Sequence, residues 1–344
     1  MSLHIYGKLP SGPRASRIRN SPQYRNGSFQ NESLTNAMAE DASFFKTMKE
    51  FVHKSKSVKP AKALPHVKTN LKQLDPQTEP RLVWFGHSSY LLHLEGMNIL
   101  VDPVFSGNAA PVSFMVKAFK GADAYGIKDM PPIDILLLTH DHYDHLDYKT
   151  VSALKGSVKQ VVCSLGVGSH LEHWGFSPSK INELDWHETF ESSSLKLTAA
   201  PARHFSGRGI KRGQTLWSSF IVQGARHRLY LGGDSGYDAH FKSIGKTWGS
   251  FDLAILESGQ YNKYWPHIHM MPEQTVQACL DLNASRLLPV HWGKFALAMH
   301  PWNEPIERVM AEASRQKVQV LTPRIGEVLQ VLNPEGLSHW WKNV

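Results

Sequence analysis

Nine residues constrain this chain more than any other stretch. Thr139, His140, Asp141, His142, Tyr143, Asp144, His145, Leu146 and Asp147 place three imidazoles and three carboxylates in a single run. The residues before it, Ile133 to Leu138, are apolar and few, so they read as a buried strand that delivers the cluster to a loop at its end. Imidazoles and carboxylates suit zinc and similar divalent ions. An Asp-His pair directly after a His-x-His supplies more donors than one ion needs, which predicts two metals in one cleft. A lone histidine would read as a turn cap or a solvated side chain; His140, His142, Asp144 and His145 together, behind a hydrophobic strand, do not.

Length and cysteine usage narrow the setting. The 344 residues, 41% hydrophobic and 20% charged, are ordinary for a globular protein and predict one catalytic domain with an appendage. Cys163 and Cys279 are far apart and outside any Cys-x-x-Cys pattern, which argues against a disulfide framework and for a reducing, cytoplasmic setting. Met1 to Pro10 has no sustained apolar region, and no stretch reaches the roughly 20 apolar residues that cross a bilayer. The formal charge of +8 is uneven: residues 1–80 hold 13 Lys and Arg against 6 Asp and Glu, and the remainder 25 against 24. A basic leader over 1–80 and a nearly neutral catalytic domain over 81–344 follow. Because the charge sits outside the catalytic part, nucleic acid is a poor candidate partner.

Taken in order, residues 1 to 30 are rich in Ser, Asn, Pro, Gly and Arg and predict an extended or poorly ordered lead-in. Within Thr35 to Lys54, Phe44, Met48, Phe51 and Val52 recur at helical spacing between lysines, which predicts a basic amphipathic helix. Such a helix either docks on its own domain or lies on a membrane surface. Lys56 to Pro80 reads as a linker. Arg81–Phe85, Tyr90–Leu94 and Met97–Asp102 predict a three-strand meander, and the apolar stretch Val104 to Met130 a lid or substrate wall. Further strands are expected over 158–163, 195–200, 217–222, 228–232, 251–256, 286–290 and 318–321. Helices are expected over 148–154, 167–174, 272–283 and 305–316, giving two mixed sheets flanked by helices.

Three later strand ends repeat the form of the first: Pro201 to His204, Leu231 to Gly236 with Asp234, and Pro289 to Gly293 with His291. The ordered set of His-x-His-x-Asp-His, then His, then Asp, then His resembles the metallo-β-lactamase superfamily of binuclear metal hydrolases, and that resemblance implies an αββα sandwich. Trp84 to Ser89, Val101 to Pro103, His142 to Asp147, Glu183 to Trp186, Phe205 to Arg208, Thr215 to Ser219, Gly233 to Tyr237 and His291 to Gly293 are similar to the branch containing N-acylphosphatidylethanolamine-hydrolysing phospholipase D. Ser21 to Tyr24 and Asn26 to Phe29 in the leader match it too.

The resemblance implies one metal on His140, His142 and His204 and another on Asp144, His145 and His291, with Asp234 bridging and a hydroxide between the ions as nucleophile. Zinc is the expected metal, with iron or manganese as alternatives. His142 stands where flavo-diiron proteins usually carry Glu, which argues for hydrolysis over redox chemistry. His87 and Asp102 are expected behind the ligands, fixing their rings, although Asp102 could equally cap the turn before Pro103. Arg208 and His269 are candidates for contacts to substrate phosphate or leaving group, His269 also as a catalytic proton donor. The chain departs from the branch after Pro111 to Phe114, where Met115 to Phe119 replaces a Gly-Pro-Lys-Arg-like segment, and at Ile268, where the branch tends to carry Gln. Head-group recognition is where these departures fall. The implied function is cleavage of N-acylphosphatidylethanolamine to N-acylethanolamine and phosphatidic acid, with peripheral membrane contact and room for a homodimer. The alternative is a lactonase or phosphoesterase acting on a small sugar phosphate.

Overall fold

The computed structural model describes residues 3–36, 38–39, 43, 49–50, 53–74 and 79–344. Two seven-stranded mixed sheets lie face to face with helices on both outer sides, the αββα sandwich. In chain order the strands of the first sheet are β3 (Arg81–Trp84), β4 (Tyr90–Leu94), β5 (Met97–Val101), β6 (Ile133–Leu138), β7 (Val158–Ser164) and β8 (Ile181–Leu184), with β16 (Val328–Gln330) returning to its edge. The second holds β9 (Thr189–Glu191), β10 (Lys196–Ala200), β11 (Ser219–Gln223), β12 (Arg228–Leu231), β13 (Leu253–Glu257), β14 (Arg286–Val290) and β15 (Gln319–Val320). Spatial order is β16-β3-β4-β5-β6-β7-β8 in one and β15-β14-β13-β12-β11-β10-β9 in the other. In each, three antiparallel pairings give way to three parallel ones.

The two-residue period of a strand explains the layering. On β6, Ile135 and Leu137 enter the core between the sheets, while Leu136 and Leu138 face the outer layer. On β13, Leu253 and Ile255 point inward and Ala254 and Leu256 outward. The outer layers are closed by Val151 and Leu154 of the helix Tyr148–Leu154 on one side. On the other, Val276 and Cys279 of Pro272–Asp281 and Val309 and Ala313 of Glu304–Gln316 do the same.

The leader differs from its expected form. Residues expected to be extended contain a helix, Gly12–Arg19, entered through Ser11 and Pro13 and ending on Arg17 and Arg19, which suits the negative pole of the helix dipole. A short hairpin follows, β1 (Tyr24–Arg25) and β2 (Ser28–Phe29), turned by Asn26 and Gly27, both at positive φ. Ile18 and Phe29 are buried against Trp186, Leu216 and Trp217. Arg14 binds Glu172 and Glu183, each at 2.6 Å. The expected linker is also docked: Leu64 and Leu71 are buried, and Leu64 N–H donates to Lys120 O at 2.7 Å. Phe44, Met48, Phe51 and Val52, the stripe of the expected amphipathic helix, lie outside the described residues. A helix unforeseen in the sequence, His240–Trp248, covers the second sheet through Phe241 and Ile244. Among the described residues, no helix is long and apolar enough to cross a membrane.

Leu92 on β4 is fully buried in the inter-sheet core. Leu92→Ala should lower unfolding stability by roughly 2–5 kcal/mol, read as a reduced midpoint in urea at constant metal load.

Candidate metal centre

Every donor leaves the carboxyl end of a strand, where βα connections place loops rather than ladder. β6 ends at Leu138 and hands over to His140; β10, β12 and β14 end four, three and one residue before His204, Asp234 and His291. All seven expected ligands converge there, and their potential ligand atoms fall into overlapping groups within 4.8 Å: His140, His142 and His204; Asp144, His145 and His291 with His87; and His140, His145 and Asp234. Six of the seven are buried, and His142 is partly exposed.

Hydrogen bonds on one ring nitrogen determine what the other can do. Thr139 Oγ1 gives its proton to Asp102 Oδ2 at 2.6 Å, so it accepts from His140 Nδ1 at 3.0 Å, and His140 Nε2 is left with a lone pair. His204 Nδ1 donates to Ile268 O at 2.8 Å, which leaves Nε2 in the same state. Both of these nitrogens face His142 Nδ1, at 3.0 and 3.3 Å. His145 Nδ1 donates to Asp102 Oδ2 at 2.8 Å, and His291 Nδ1 meets Ser88 Oγ at 2.9 Å. Their Nε2 atoms, Asp234 Oδ1 and His87 Nδ1 are buried without a hydrogen bond among the described residues. Orphaned donors and acceptors at this density are costly unless something unites them, and divalent cations match the donor set. The residues present therefore fit two ions.

Asp234 stands between the clusters. Its Oδ2 lies 3.6 Å from His204 Nε2 and 3.9 Å from His140 Nε2, while Oδ1 lies 3.1 Å from His145 Nε2 and 3.1 Å from His291 Nδ1. The carboxylate thus offers one oxygen to each side. Burial holds the His140, His204 and His291 imidazoles well below their ordinary value, which keeps them neutral, as ligands must be. Burial also disfavours charge on His145, but Asp234, Asp144 and Asp102 outweigh it and hold that ring well above its usual range. A cation would replace that positive charge with its own.

Asp102 and His87 both touch cluster residues. Asp102 orients His145 and accepts from Thr139 N–H at 2.9 Å. His87 Nε2 meets Asp144 Oδ2 at 2.9 Å and comes within reach of the second cluster. His269 stacks on His291 with ring centres 5.2 Å apart and lies tilted beside His204 at 5.1 Å.

Arg208 is a correction. Its buried guanidinium is spent on main-chain oxygens, donating to Asp141 O, Leu146 O and Ile5 O at 2.7–3.2 Å. It braces the metal loop, with its donors already engaged where it lines the cavity beside Tyr143, because the short Gly207 turn carries it under Asp141, whose Oδ1 accepts from Gly207 N–H at 2.7 Å.

The residue that sequence reasoning missed is Glu257, fully buried at the end of β13. It accepts from Ser235 N–H and Met270 N–H and binds His269 Nδ1 with both oxygens at 3.1 Å. Burial raises its carboxyl, and that carboxylate in turn raises His269 against the desolvation that opposes it. The signal was available: β13 ends in a potential donor, as β6 leads into one.

The "Beta-lactamase superfamily domain" family model matches residues 97–292. An uncharacterized protein of Mycobacterium tuberculosis is 39% identical over 340 residues, spanning 96% of this chain and 91% of that protein. The N-acyl-phosphatidylethanolamine-hydrolyzing phospholipase D 1 of Caenorhabditis elegans is 29% identical over 264 residues, 71% of this chain and 74% of its own length. Among solved structures, a metallo hydrolase of Ignicoccus hospitalis superposes with a TM-score of 0.57 at 20% identity, covering 73% of this chain and 98% of that one.

Metal analysis of protein purified without chelator should find up to two equivalents of divalent metal per chain. Stripping them should abolish hydrolysis and lower the thermal midpoint, since the buried lone pairs lose their partner. Asp234→Ala should weaken both sites together, whereas His204→Ala should chiefly empty one; mass-spectrometric metal counts on the three proteins check this.

Proposed function

The chain belongs to the metallo-β-lactamase superfamily and is a metal-dependent hydrolase; from that premise we propose that it acts as a phospholipase D-type phosphodiesterase, releasing N-acylethanolamine and phosphatidic acid from N-acylphosphatidylethanolamine. The observation that carries this reading is the surface around the centre. A cavity of about 620 Å³ opens at His204, Phe205 and Trp217, and another of about 330 Å³ at Tyr143, the chain neighbour of His142 and Asp144. Each has a solvent-exposed apolar residue in its wall, Leu34 (88% exposed) and Phe114 (74% exposed) respectively. The second belongs to the stretch expected to form a substrate wall, with Ala110 to Phe114 on one side and Tyr143 and Tyr148 on the other. Exposed aromatic and aliphatic side chains beside an open cleft suit an acyl chain better than a small sugar phosphate. Similarity to the nematode phospholipase supports the same choice.

Divalent cations in the two clusters would supply Lewis acidity and a water acidified toward neutral pH; zinc is our choice for both. The chain's own residues do the rest. Asp234 fixes the separation of the two donor groups. His269, clamped through Nδ1 by Glu257, keeps Nε2 free to protonate the departing ethanolamine oxygen as the P–O bond breaks. The walls around Phe205 and Trp217 exclude bulk water from that bond. Contact with the membrane is peripheral, through Phe114, Met115 and Ile210, the last two being exposed as well, with Lys117, Lys211 and Arg212 adjacent in sequence to favour anionic headgroups.

Hydrolysis in oxygen-18 water should place the label in phosphatidic acid, and a trapped phosphoryl-enzyme would refute the direct attack of water. Phe114→Ser combined with Ile210→Ser should reduce co-sedimentation with anionic vesicles several-fold and leave turnover of a soluble phosphodiester unchanged. Equal partition of parent and variant would remove these residues from the membrane contact.

A further inference from the structure

The two donor clusters are held by different parts of the chain. Asp144, His145 and His291 lean on the sandwich itself: Asp102 fixes His145, His87 meets Asp144, and Ser88 meets His291. In the other cluster His140 leans on Thr139 and, through it, on Asp102, whereas His204 is backed by the leader. His204 is 1% exposed and lies beyond the last ladder pair of β10, so its main chain has no strand to pair with. The Asn31 side-chain amide takes the place of one. Its Nδ2 donates to His204 O at 2.8 Å and its Oδ1 accepts from His204 N–H at 3.0 Å. The same Oδ1 accepts from Trp217 Nε1 at 3.0 Å.

Asn31 is itself fixed, because Phe29 N–H donates to Gly213 O and Gln30 N–H to Gln23 O, each at 2.8 Å, next to the buried Phe29 ring. A second relay reaches the same cluster from the other side. Lys8 N–H donates to His170 Nδ1 at 3.0 Å, and His170 Nε2 meets Asp141 Oδ2 at 3.2 Å. Ile5 O accepts from Arg208, which also donates to Asp141 O. Asp141 lies between His140 and His142 in the chain.

We propose that the leader is a working part of the metal centre: Asn31 is a positioning residue for His204, and through it the leader sets the occupancy of the His140, His142 and His204 site independently of the other. The two reciprocal amide bonds fix the His204 main chain, and Ile268 O fixes the ring. Together they aim Nε2 at the point where His142 Nδ1 and Asp234 Oδ2 meet it. Loss of the amide frees the main chain and strands a buried N–H and C=O beside a ligand. The inference rests on the ligand set and not on the lipid substrate, so failure of the phospholipase reading leaves it standing.

Zinc is the probe, with the full chain loaded to two equivalents and dialysed against graded chelator. Asn31→Ala should release one equivalent at about 10–100-fold lower chelator strength, the range seen when a partner behind a metal ligand is removed, with the second equivalent unmoved. Ser88→Ala should do the reverse, loosening the equivalent that His291 holds. Asn31→Asp keeps an acceptor for His204 N–H and Trp217 Nε1 and should restore part of the affinity. It also serves if the alanine variant fails to fold, since it should still release the same single equivalent early. Cobalt substituted for zinc gives a second readout: the absorption band of one site only should change in the Asn31 variants. Loss of both equivalents together, or a lowered thermal midpoint with an unchanged release profile, would overturn the proposal.

Discussion

One carboxylate joins the two halves of this molecule. Asp234 leaves the second sheet and offers an oxygen to rings that leave the first, and each donor cluster likewise joins rings from both sheets, so the closeness of the donors within each cluster depends on the distance between the sheets. That spacing belongs to the core: Leu82, Leu92, Ile135 and Leu137 on one side against Leu229, Leu231, Ile255 and Leu288 on the other. The exit of β12 must also come close to the exit of β6. At Gly233, whose φ is +59°, a Cβ would sit 3.0 Å from Ser218 O and 3.1 Å from Thr139 Cβ, tighter than ordinary packing allows. A side chain there would push Asp234 away from the rings it bridges.

Strain is concentrated at the same edge. His87, Asp102 and His291 all hold positive φ, at 53°, 39° and 67°, a region that costs a residue with a Cβ on the order of 1–3 kcal/mol. What holds them is reciprocal pairing and aromatic mass. His291 N–H donates to His87 O and His87 N–H to Trp292 O, at 3.0 and 2.8 Å, and Trp84 Nε1 also donates to His87 O at 2.8 Å. Behind that knot Trp84, Trp292, Trp302, Trp340 and Trp341 pack against one another. The carboxyl-terminal turn Trp340–Asn343 is thereby part of what keeps His87 and His291 in place.

The strands and the donors at their ends were legible because their signals are local. An apolar run followed by a donor names both a strand and the edge it serves, and period-two burial on β6 or β13 needs no knowledge of the partner. The leader was illegible for the opposite reason. Its hold on the domain comes from a few residues whose partners are remote in sequence: Arg14 pairs with Glu172 and Glu183, Asn31 with His204, and Ile18 and Phe29 with Trp186 and Trp217. Polar composition suggested disorder, yet these polar groups are the anchors. Arg208 failed in the same way, since a guanidinium beside a metal motif reads as an anion contact until Asp141 O, Leu146 O and Ile5 O are seen to consume it. Glu257 was within reach of the reading, as it ends a strand already recognised.

The wall around Phe114 combines a fixed root with an exposed tip. Lys294 is buried and donates to Val104 O at 2.8 Å and Phe85 O at 3.3 Å, which ties the start of that stretch to the strand end that carries His87. Burial pulls the Lys294 ammonium down to about 8, with Asp123 partly offsetting it. Asp123 Oδ1 lies 3.9 Å from the ammonium. A methionine or leucine there would fill the space but leave two carbonyls unpaired beside the metal cleft. Further along, Ala109 N–H donates to Val116 O and closes a narrow loop whose end, Phe114 and Met115, packs on little and faces solvent. Donors that must not move are therefore carried on strand ends. The surface that meets the substrate sits on loops whose tips are free of the core, so its side chains can differ between relatives without disturbing the metals.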